Sequence, residues 1–255
     1  MGHAYREDLS FIHDLGFGQL ARDAAEHLLR IFAEEAVEEG LVVDLGCGTG
    51  ILVEAVSNAG YEVLGIDLSP AMIELARRRV PDAQFRCESL LEAELPRCAA
   101  VVAVGECFNY LFDERNSREQ LRRLFARIHE ALEPGGLLLF DAAGPGRVAS
   151  DEPLKTHVDG GDWVLLMNAE ENSEARRLTR CITSFRRIGE LFRRDDECHE
   201  LALWSSHELM ADLEAAGFSV ELLDGYAEQA LPQGLYALLA RKSDQEAMES
   251  PEGED

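Results

Sequence analysis

The sequence predicts an α/β fold: a doubly wound, mixed sheet of seven strands, entered through an N-terminal helical cap and interrupted by an inserted antiparallel sheet. Three observations predict it. From Leu41 to Asp141, short apolar runs alternate with amphipathic helical segments, the pattern of parallel strands joined by crossover helices. The first run ends in a glycine-rich turn, VVDLGCGTG, from Val42 to Gly50. Between Asp141 and Ser205 the alternation gives way to strand-like segments around the turns ENSE and IGE, as an inserted antiparallel sheet would read.

The elements follow in order. From Tyr5 to Val37 the apolar residues recur at helical spacing, broken at LGFG by Gly16 and Gly18, which predicts two helices before any strand. LVVDL (Leu41 to Leu45) reads as a buried parallel strand, with a helix from Gly50 to Asn58. The unit repeats: YEVLGID is a strand and SPAMIELARRRV a helix, with Ser69 as N-cap and Pro70 at the first helical position. AQFRCE, AAVVAVGE and PGGLLLFD supply strands three to five, with an amphipathic helix over Ser117 to Leu132 between the last two. In the insertion, Trp163 to Asn168, Leu178 to Arg186 and Leu191 to Leu203 read as strands. SSHELMADLEAAGF is a closing helix ended by Gly217, and SVELLDGY and LYALLARK form a hairpin whose last strand runs antiparallel. The expected organisation is a cap over 1–40, a core over 41–141 and 206–242, a lid over 142–205, and a disordered acidic tail over 243–255.

With 255 residues, 46% of them hydrophobic, the chain can bury a full core. A net charge of -25 and a pI of about 4.6 set a field that repels nucleic acid and anionic membrane surfaces. Lys155 and Lys242 are the lysines, so nearly all positive charge is arginine; a saline host and an acidic surface from a GC-rich genome both account for this. Cys47, Cys87, Cys98, Cys107, Cys181 and Cys198 show neither CxxC spacing nor pairing with histidines, so they are expected as reduced, mostly buried thiols and no metal site is expected. No apolar leader or membrane-length apolar run is evident, and a cytoplasmic location is expected.

Which ligand the glycine turn holds depends on Asp44. Gly46, Gly48 and Gly50 make GxGxG, whereas a dinucleotide fingerprint needs GxGxxG and has Ile51 at its third glycine; a P-loop needs GKS or GKT, which is missing. A carboxylate two residues before the first glycine repels a pyrophosphate and attracts a cation. S-adenosylmethionine carries a sulfonium and an ammonium, and its carboxylate can take backbone N–H groups at the turn. Asp67, at the end of strand two, suits the ribose hydroxyls, and Glu88, ending strand three, suits the adenine amine between Leu68 and Leu90. The competing readings are a helix N-terminal acid at Asp67 and an ordinary strand-end acid at Glu88.

Through VVDLGCGTG, GIDLSP, CESL, VVAVGECFNYL and LEPGGLLLFD the chain resembles the class I S-adenosylmethionine-dependent methyltransferases, over Leu41 to Asp141 and in the topology of the closing helix and hairpin. Within them it is most similar to small-molecule enzymes of the methyltransferase domain 25 type. The resemblance implies a Rossmann-like core. It places Asp44, Gly46, Cys47 and Gly48 at the methionine end, Asp67 at the ribose, Glu88, Ser89 and Leu90 at the adenine, and Gly105 and Tyr5 beside the cofactor. The family more often has Asp where Glu88 stands. GECFNYL takes the substrate-facing position after strand four but is not the NPPY type, which removes amide and base nitrogen methylation.

Methyl transfer is an in-line displacement that positioning alone can accelerate, so a base is optional. Candidate catalytic groups are Glu106 and His199, and candidate substrate contacts are His13, Asn109 and Arg194. His129, His157 and His207 read as helix-surface, loop and helix-start residues. The insertion concentrates Arg176, Arg177, Arg180, Arg186, Arg187, Arg193 and Arg194, which suits an anionic small-molecule acceptor; alternatively they balance Glu170, Glu171, Glu174, Asp195 and Asp196. Strand alternation puts Glu197, His199, Leu201 and Leu203 on one face of ECHELALW. Two other functions share these motifs: a non-catalytic cofactor-binding sensor or partner subunit, and aminopropyl transfer from decarboxylated cofactor, against which the intact turn argues. The expected ligand behaviour is metal-independent binding of S-adenosylmethionine without preference for NAD. Calorimetry tests it, and heat with NAD but none with S-adenosylmethionine or its demethylated product contradicts it.

Overall fold

The computed structural model describes residues 5–148 and 152–243; most of the expected acidic tail therefore lies outside the described residues. Helices α1 (Glu7–Gly16) and α2 (Gln19–Glu34) precede the sheet and part at the LGFG segment. Strands and helices then alternate: β1 (Leu41–Leu45), α3 (Ile51–Asn58), β2 (Glu62–Asp67), α4 (Pro70–Arg79), β3 (Gln84–Cys87), β4 (Cys98–Ala103), α5 (Arg118–Ala131) and β5 (Leu132–Ala143). The Ser69 hydroxyl caps α4 by accepting from Met72 N–H at 3.2 Å, with Pro70 opening the helix.

After the insertion come α6 (Ser206–Ala215), started by a Ser205 and Glu208 capping box, and the strands β10 (Phe218–Leu223) and β13 (Leu235–Lys242). Between them lies a two-residue ladder, β11 (Gly225–Tyr226) with β12 (Gln229–Ala230), so Gly225 and Tyr226, which read in sequence as the end of the SVELLDGY strand, leave β10 and pair locally instead. The seven-stranded sheet runs β10-β13-β5-β4-β1-β2-β3, with β13 antiparallel to both neighbours. This is the mixed, doubly wound sheet expected. Successive residues serve opposite layers: Val43 and Leu45 pack with α5 and α6 residues such as Leu124 and Leu209, while Val42 packs with α2 and α3 residues such as Leu28 and Val53. Among the described residues no helix is long and apolar enough to cross a membrane.

The insertion forms a four-stranded antiparallel sheet of β6 (Leu154–Asp159), β7 (Trp163–Asn172), β8 (Arg177–Ile188) and β9 (Leu191–Ala202). β6 has no counterpart in the sequence reading, because it is an almost wholly exposed edge strand with no buried face to impose alternation. One expectation is corrected. Cys181 and Cys198 face each other across β8 and β9, with Cα atoms 4.1 Å apart, and are disulfide-bonded rather than reduced. Cys47 and Cys98 are buried free thiols, Cys107 is half-buried and Cys87 is exposed.

α1 packs on this inserted sheet, with Leu9 and Ile12 against Trp163, Leu165 and Ile182. Ion pairs join them as well: Arg6 grips Asp195 with two donors, and buried Asp8 meets Arg186 and Arg193. The sheet is anchored to the core through Asn109, which is fully buried. Its Nδ2 donates to the Ala143 and Ala202 carbonyls at 2.9 and 2.6 Å, and its Oδ1 accepts from Ala143 N–H at 2.9 Å. Asn109 is thus spent on structure, contrary to its expected place at the substrate. Asn109→Ala leaves buried polar groups of two segments unpaired and should cost about 2–4 kcal/mol of stability. Urea unfolding measures this; a loss no larger than for a surface substitution would contradict the anchoring role.

Candidate active site

The site is built where β1 and β2 end. Gly46 and Gly48 both have left-handed backbones, with φ of +82° and +52°. A Cβ on Gly46 would lie 2.4 Å from the Cys107 sulfur, whereas one on Gly48 would meet no atom within 4 Å, because Gly48 borders a cavity of about 780 Å³. The turn's own N–H groups point elsewhere. Gly46 and Cys47 donate to the Ile66 carbonyl at 2.7 and 3.0 Å, and Gly48 donates to Asp67 Oδ2 at 2.9 Å. These three amides are therefore spent, and the expectation that a ligand carboxylate takes turn amides does not hold for them. The turn offers close approach instead.

Two carboxylates dominate the electrostatics. Asp44 is buried, and burial followed by the charge of Asp67 pushes its pKa up to about 8. Burial also raises Asp67, partly offset by backbone N–H donors from Ser69, Gly48 and Leu68. Asp67 lies on the cavity wall; Asp44 and Cys47 do not. A buried pair of acids destabilises a bound phosphate and stabilises a bound cation. The Cys47 and Cys107 thiols, raised well above their usual range by burial and these acids, stay protonated.

Of the residues expected at the adenine, Leu68, Ser89 and Leu90 lie on the wall. Glu88 does not; its side chain lies 3.7 Å from Arg86, and its Oε1 is buried without a partner. The segment Phe112 to Asn116 completes this rim and is missing from the sequence reading. Ser89 Oγ donates to Asp113 Oδ2 at 2.5 Å, and Asn116 Oδ1 is buried without a partner. The signal available in sequence was the polar run DERN directly before the Ser117 helix cap.

Part of the cavity wall is aromatic. Tyr5, His13, Phe17, Tyr110 and Phe112 line it, and the Tyr5 and Tyr110 hydroxyls lie 2.9 Å apart. Burial raises the pKa of Tyr5 and pushes that of Tyr110 up to about 12, so both phenols stay protonated at neutral pH. Burial lowers His13 to about 4, which keeps the imidazole neutral, and its Nδ1 has no partner. His199 is not on the wall but behind it, 4.9 Å from the Tyr5 and Phe112 rings. Gly105 is on the wall, positioned by its N–H donation to Asp141 at the end of β5.

Two further expectations part from the structure. Glu106 is buried off the wall, gripped by Arg180 and Arg147 at 2.5 and 3.1 Å. Burial raises its pKa, but the two guanidiniums outweigh that and hold the carboxyl below its ordinary value, so Glu106 is a poor base. Arg194 is exposed and pairs with Asp196, away from the cavity. The other arginines of the insertion are likewise matched by carboxylates: Arg176 by Glu208, Arg177 by Glu200, Arg180 by Glu106, Arg186 and Arg193 by Asp8, and Arg187 by Asp162.

Comparison with known proteins agrees with this geometry. A methyltransferase domain family matches residues 42–136. A putative methyltransferase of Bacillus subtilis (strain 168) is 28% identical over 72% of this chain and 75% of its own. A dTDP-3-amino-3,4,6-trideoxy-alpha-D-glucopyranose N,N-dimethyltransferase of Streptomyces venezuelae is 26% identical over 87% and 94%. Among solved structures, an S-adenosylmethionine-dependent methyltransferase from Clostridium acetobutylicum superposes with a TM-score of 0.78 at 17% identity, covering 94% of this chain and 99% of its own. An amino pentose methyltransferase from Micromonospora echinaspora, solved with S-adenosylmethionine bound, gives 0.74 at 20% identity, covering 95% and 100%. With the acidic pair, the glycine turn and the sheet topology, these matches make the chain a class I S-adenosylmethionine-dependent methyltransferase. S-adenosylmethionine is its methyl donor, and the buried acids and the open space at Gly48 fit that group.

Two outcomes follow for cofactor binding. Asp67→Ala should weaken S-adenosylmethionine binding by about 1.5–3 kcal/mol through loss of charge-assisted hydrogen bonds, and Gly48→Val should weaken it further by intruding on the methionine end, with an added stability cost from a β-branched residue at φ +52°. Full affinity in a folded Asp67→Ala protein would place the ribose elsewhere. The second concerns pH. With a pKa of about 8, Asp44 is largely protonated at neutral pH, and a bound cation favours its charged form, so binding releases a proton. Affinity should therefore rise with pH, by at most about tenfold per unit, and level off above about 8. Calorimetry in buffers of different ionisation enthalpy reads the released proton; a pH-independent affinity between about 6.5 and 8.5 would contradict it.

Proposed function

We propose that this methyltransferase methylates the nitrogen of an amine on a small, sugar-sized acceptor. The observation that carries the reading is the aromatic wall, with its protonated phenols and neutral His13, lining the same cavity as the glycine turn. A volume of about 780 Å³ suits the cofactor with a small acceptor rather than a macromolecular segment. Neutral rings and nearby carboxylates favour an amine over an anion, since the arginines of the insertion are matched by the chain's own acids. The near full-length likeness to an amino-sugar N,N-dimethyltransferase supports the same acceptor class.

When bound, S-adenosylmethionine supplies a methyl group on a sulfonium, already activated as a leaving group. The acceptor amine must reach the site with its lone pair free, so the ammonium proton leaves to solvent, because His13, its pKa lowered to about 4, is too weak a base to take it. The nitrogen lone pair then forms the new N–C bond as the S–C bond breaks, and that electron pair stays on sulfur in adenosylhomocysteine. Tyr5 and Tyr110 orient the acceptor through their hydroxyls and shield the reacting centre from water. Incubating the enzyme with S-adenosylmethionine and a panel of free and nucleotide-linked amino sugars should release adenosylhomocysteine with amines and not with their hydroxyl counterparts. Turnover confined to hydroxyl or carboxylate acceptors would overturn the reading.

A further inference from the structure

We propose that Glu197 is the positioning residue of the acceptor wall: one buried carboxylate fixes both the backbone that presents Tyr5 and the imidazole of His199 behind it. The inference rests on the wall being the acceptor side of the cavity.

Glu197 reaches inward from β9 and is buried. Its Oε2 accepts from Tyr5 N–H at 2.8 Å and its Oε1 from Arg6 N–H at 2.9 Å. Two consecutive amides converge on one carboxylate because Tyr5 takes a left-handed backbone, with φ of +49°, before Arg6 returns to -67°. The two donations to one carboxylate give a physical reason for a conformation that a tyrosine otherwise avoids. The same carboxylate lies 3.0 Å from His199 Nε2. With the ring hydrogen on Nε2 donated to Glu197, Nδ1 keeps its lone pair, and Nδ1 is buried without a partner.

The contacts continue toward the cofactor. The Tyr5 carbonyl accepts from Ser69 Oγ at 2.8 Å, and Ser69 N–H donates to Asp67 Oδ1 at 2.8 Å. An unbroken set of hydrogen bonds therefore runs from Asp67 through Ser69, Tyr5 and Glu197 to His199. Tethering alone does not account for Glu197, because Arg6 with Asp195 and Asp8 with Arg193 already hold the N-terminal segment to the inserted sheet. What Glu197 adds is orientation: the direction of the Tyr5 ring and the tautomer of His199.

The test uses the full chain with Glu197→Gln, which keeps the volume but places an amide NH2 among three donors, and with Glu197→Asp as the conservative variant. Long-range 1H–15N spectra of the adenosylhomocysteine-loaded protein should show His199 with an unprotonated Nδ1 in the wild type and a changed tautomer in Glu197→Gln. Calorimetric affinity for S-adenosylmethionine should fall far less than kcat, since Glu197 reaches Asp67 only through Tyr5 and Ser69. For the amine selected by the screen described above, kcat should fall about tenfold or more, with part recovered in Glu197→Asp. An unchanged His199 spectrum, or cofactor affinity falling as far as kcat, would overturn the proposal. If no amine is turned over, the acceptor reading fails by itself, and the tautomer and affinity comparison still decides the role of Glu197.

Discussion

Two acids, Asp44 buried and Asp67 half-buried on the cavity wall, meet at the ends of adjacent strands, and the rest of the structure is arranged around that cost. Asp44 closes in at the end of β1 and is disfavoured as an anion by burial and by the charge of Asp67, while Asp67 ends β2 and is disfavoured by burial, offset in part by backbone N–H donors. Only a proton or a cationic ligand relieves the repulsion. The topology explains why the acids meet there. After β3 the chain returns to place β4 on the other side of β1, and such reversals open a crevice at the carboxyl ends of the strands. The glycine turn then admits a ligand to backbone contact, while its amides are already tied to Ile66 and Asp67. Selection for S-adenosylmethionine comes from charge and access rather than from an anion-binding nest.

Over this floor the chain uses its scarce positive charge internally. With 49 acidic and 24 basic side chains by count of Lys and Arg, arginines are in demand. Those of the inserted sheet hold α1, the loop after β4 and the start of α6 in place, through Asp8, Glu106 and Glu208. Buried pairs of this kind fix geometry more than they add stability. The result is a stretch of cavity wall lined by aromatic rings drawn from α1's leading segment and the loop after β4.

Much of this was legible in the sequence, and the reasons differ by element. LVVDL and YEVLGID announce strands because both faces are buried, and Ser69 followed by Pro70 marks a helix start whose capping geometry the structure repeats. β6 was illegible because an exposed edge strand has no buried face to write alternation. The Cys181 and Cys198 pairing was available but unread: a hairpin turning at IGE pairs Ile188 with Leu191, and counting outward brings those cysteines opposite each other. Partners of the arginines were not legible. Arg193 meets Asp8 across 185 positions and Arg180 meets Glu106 across 74, and composition reports charges without saying which fold neighbours they find. Glu106 shows the consequence most plainly, since a strand-end acid that suggests a base in sequence becomes a guanidinium-locked anion in the fold.

The account stands on Asp44 being a carboxyl that waits for a cation. The direct measurement is a 13C NMR titration of the Asp44 carboxyl, first in the free protein and then with S-adenosylmethionine bound. The Asp44 carboxyl should titrate near pH 8 in the free protein and shift markedly downward with the cofactor, as the sulfonium and ammonium stabilise the anion. Titration in the ordinary range of about 4 in the free protein, unchanged by the cofactor, would contradict it.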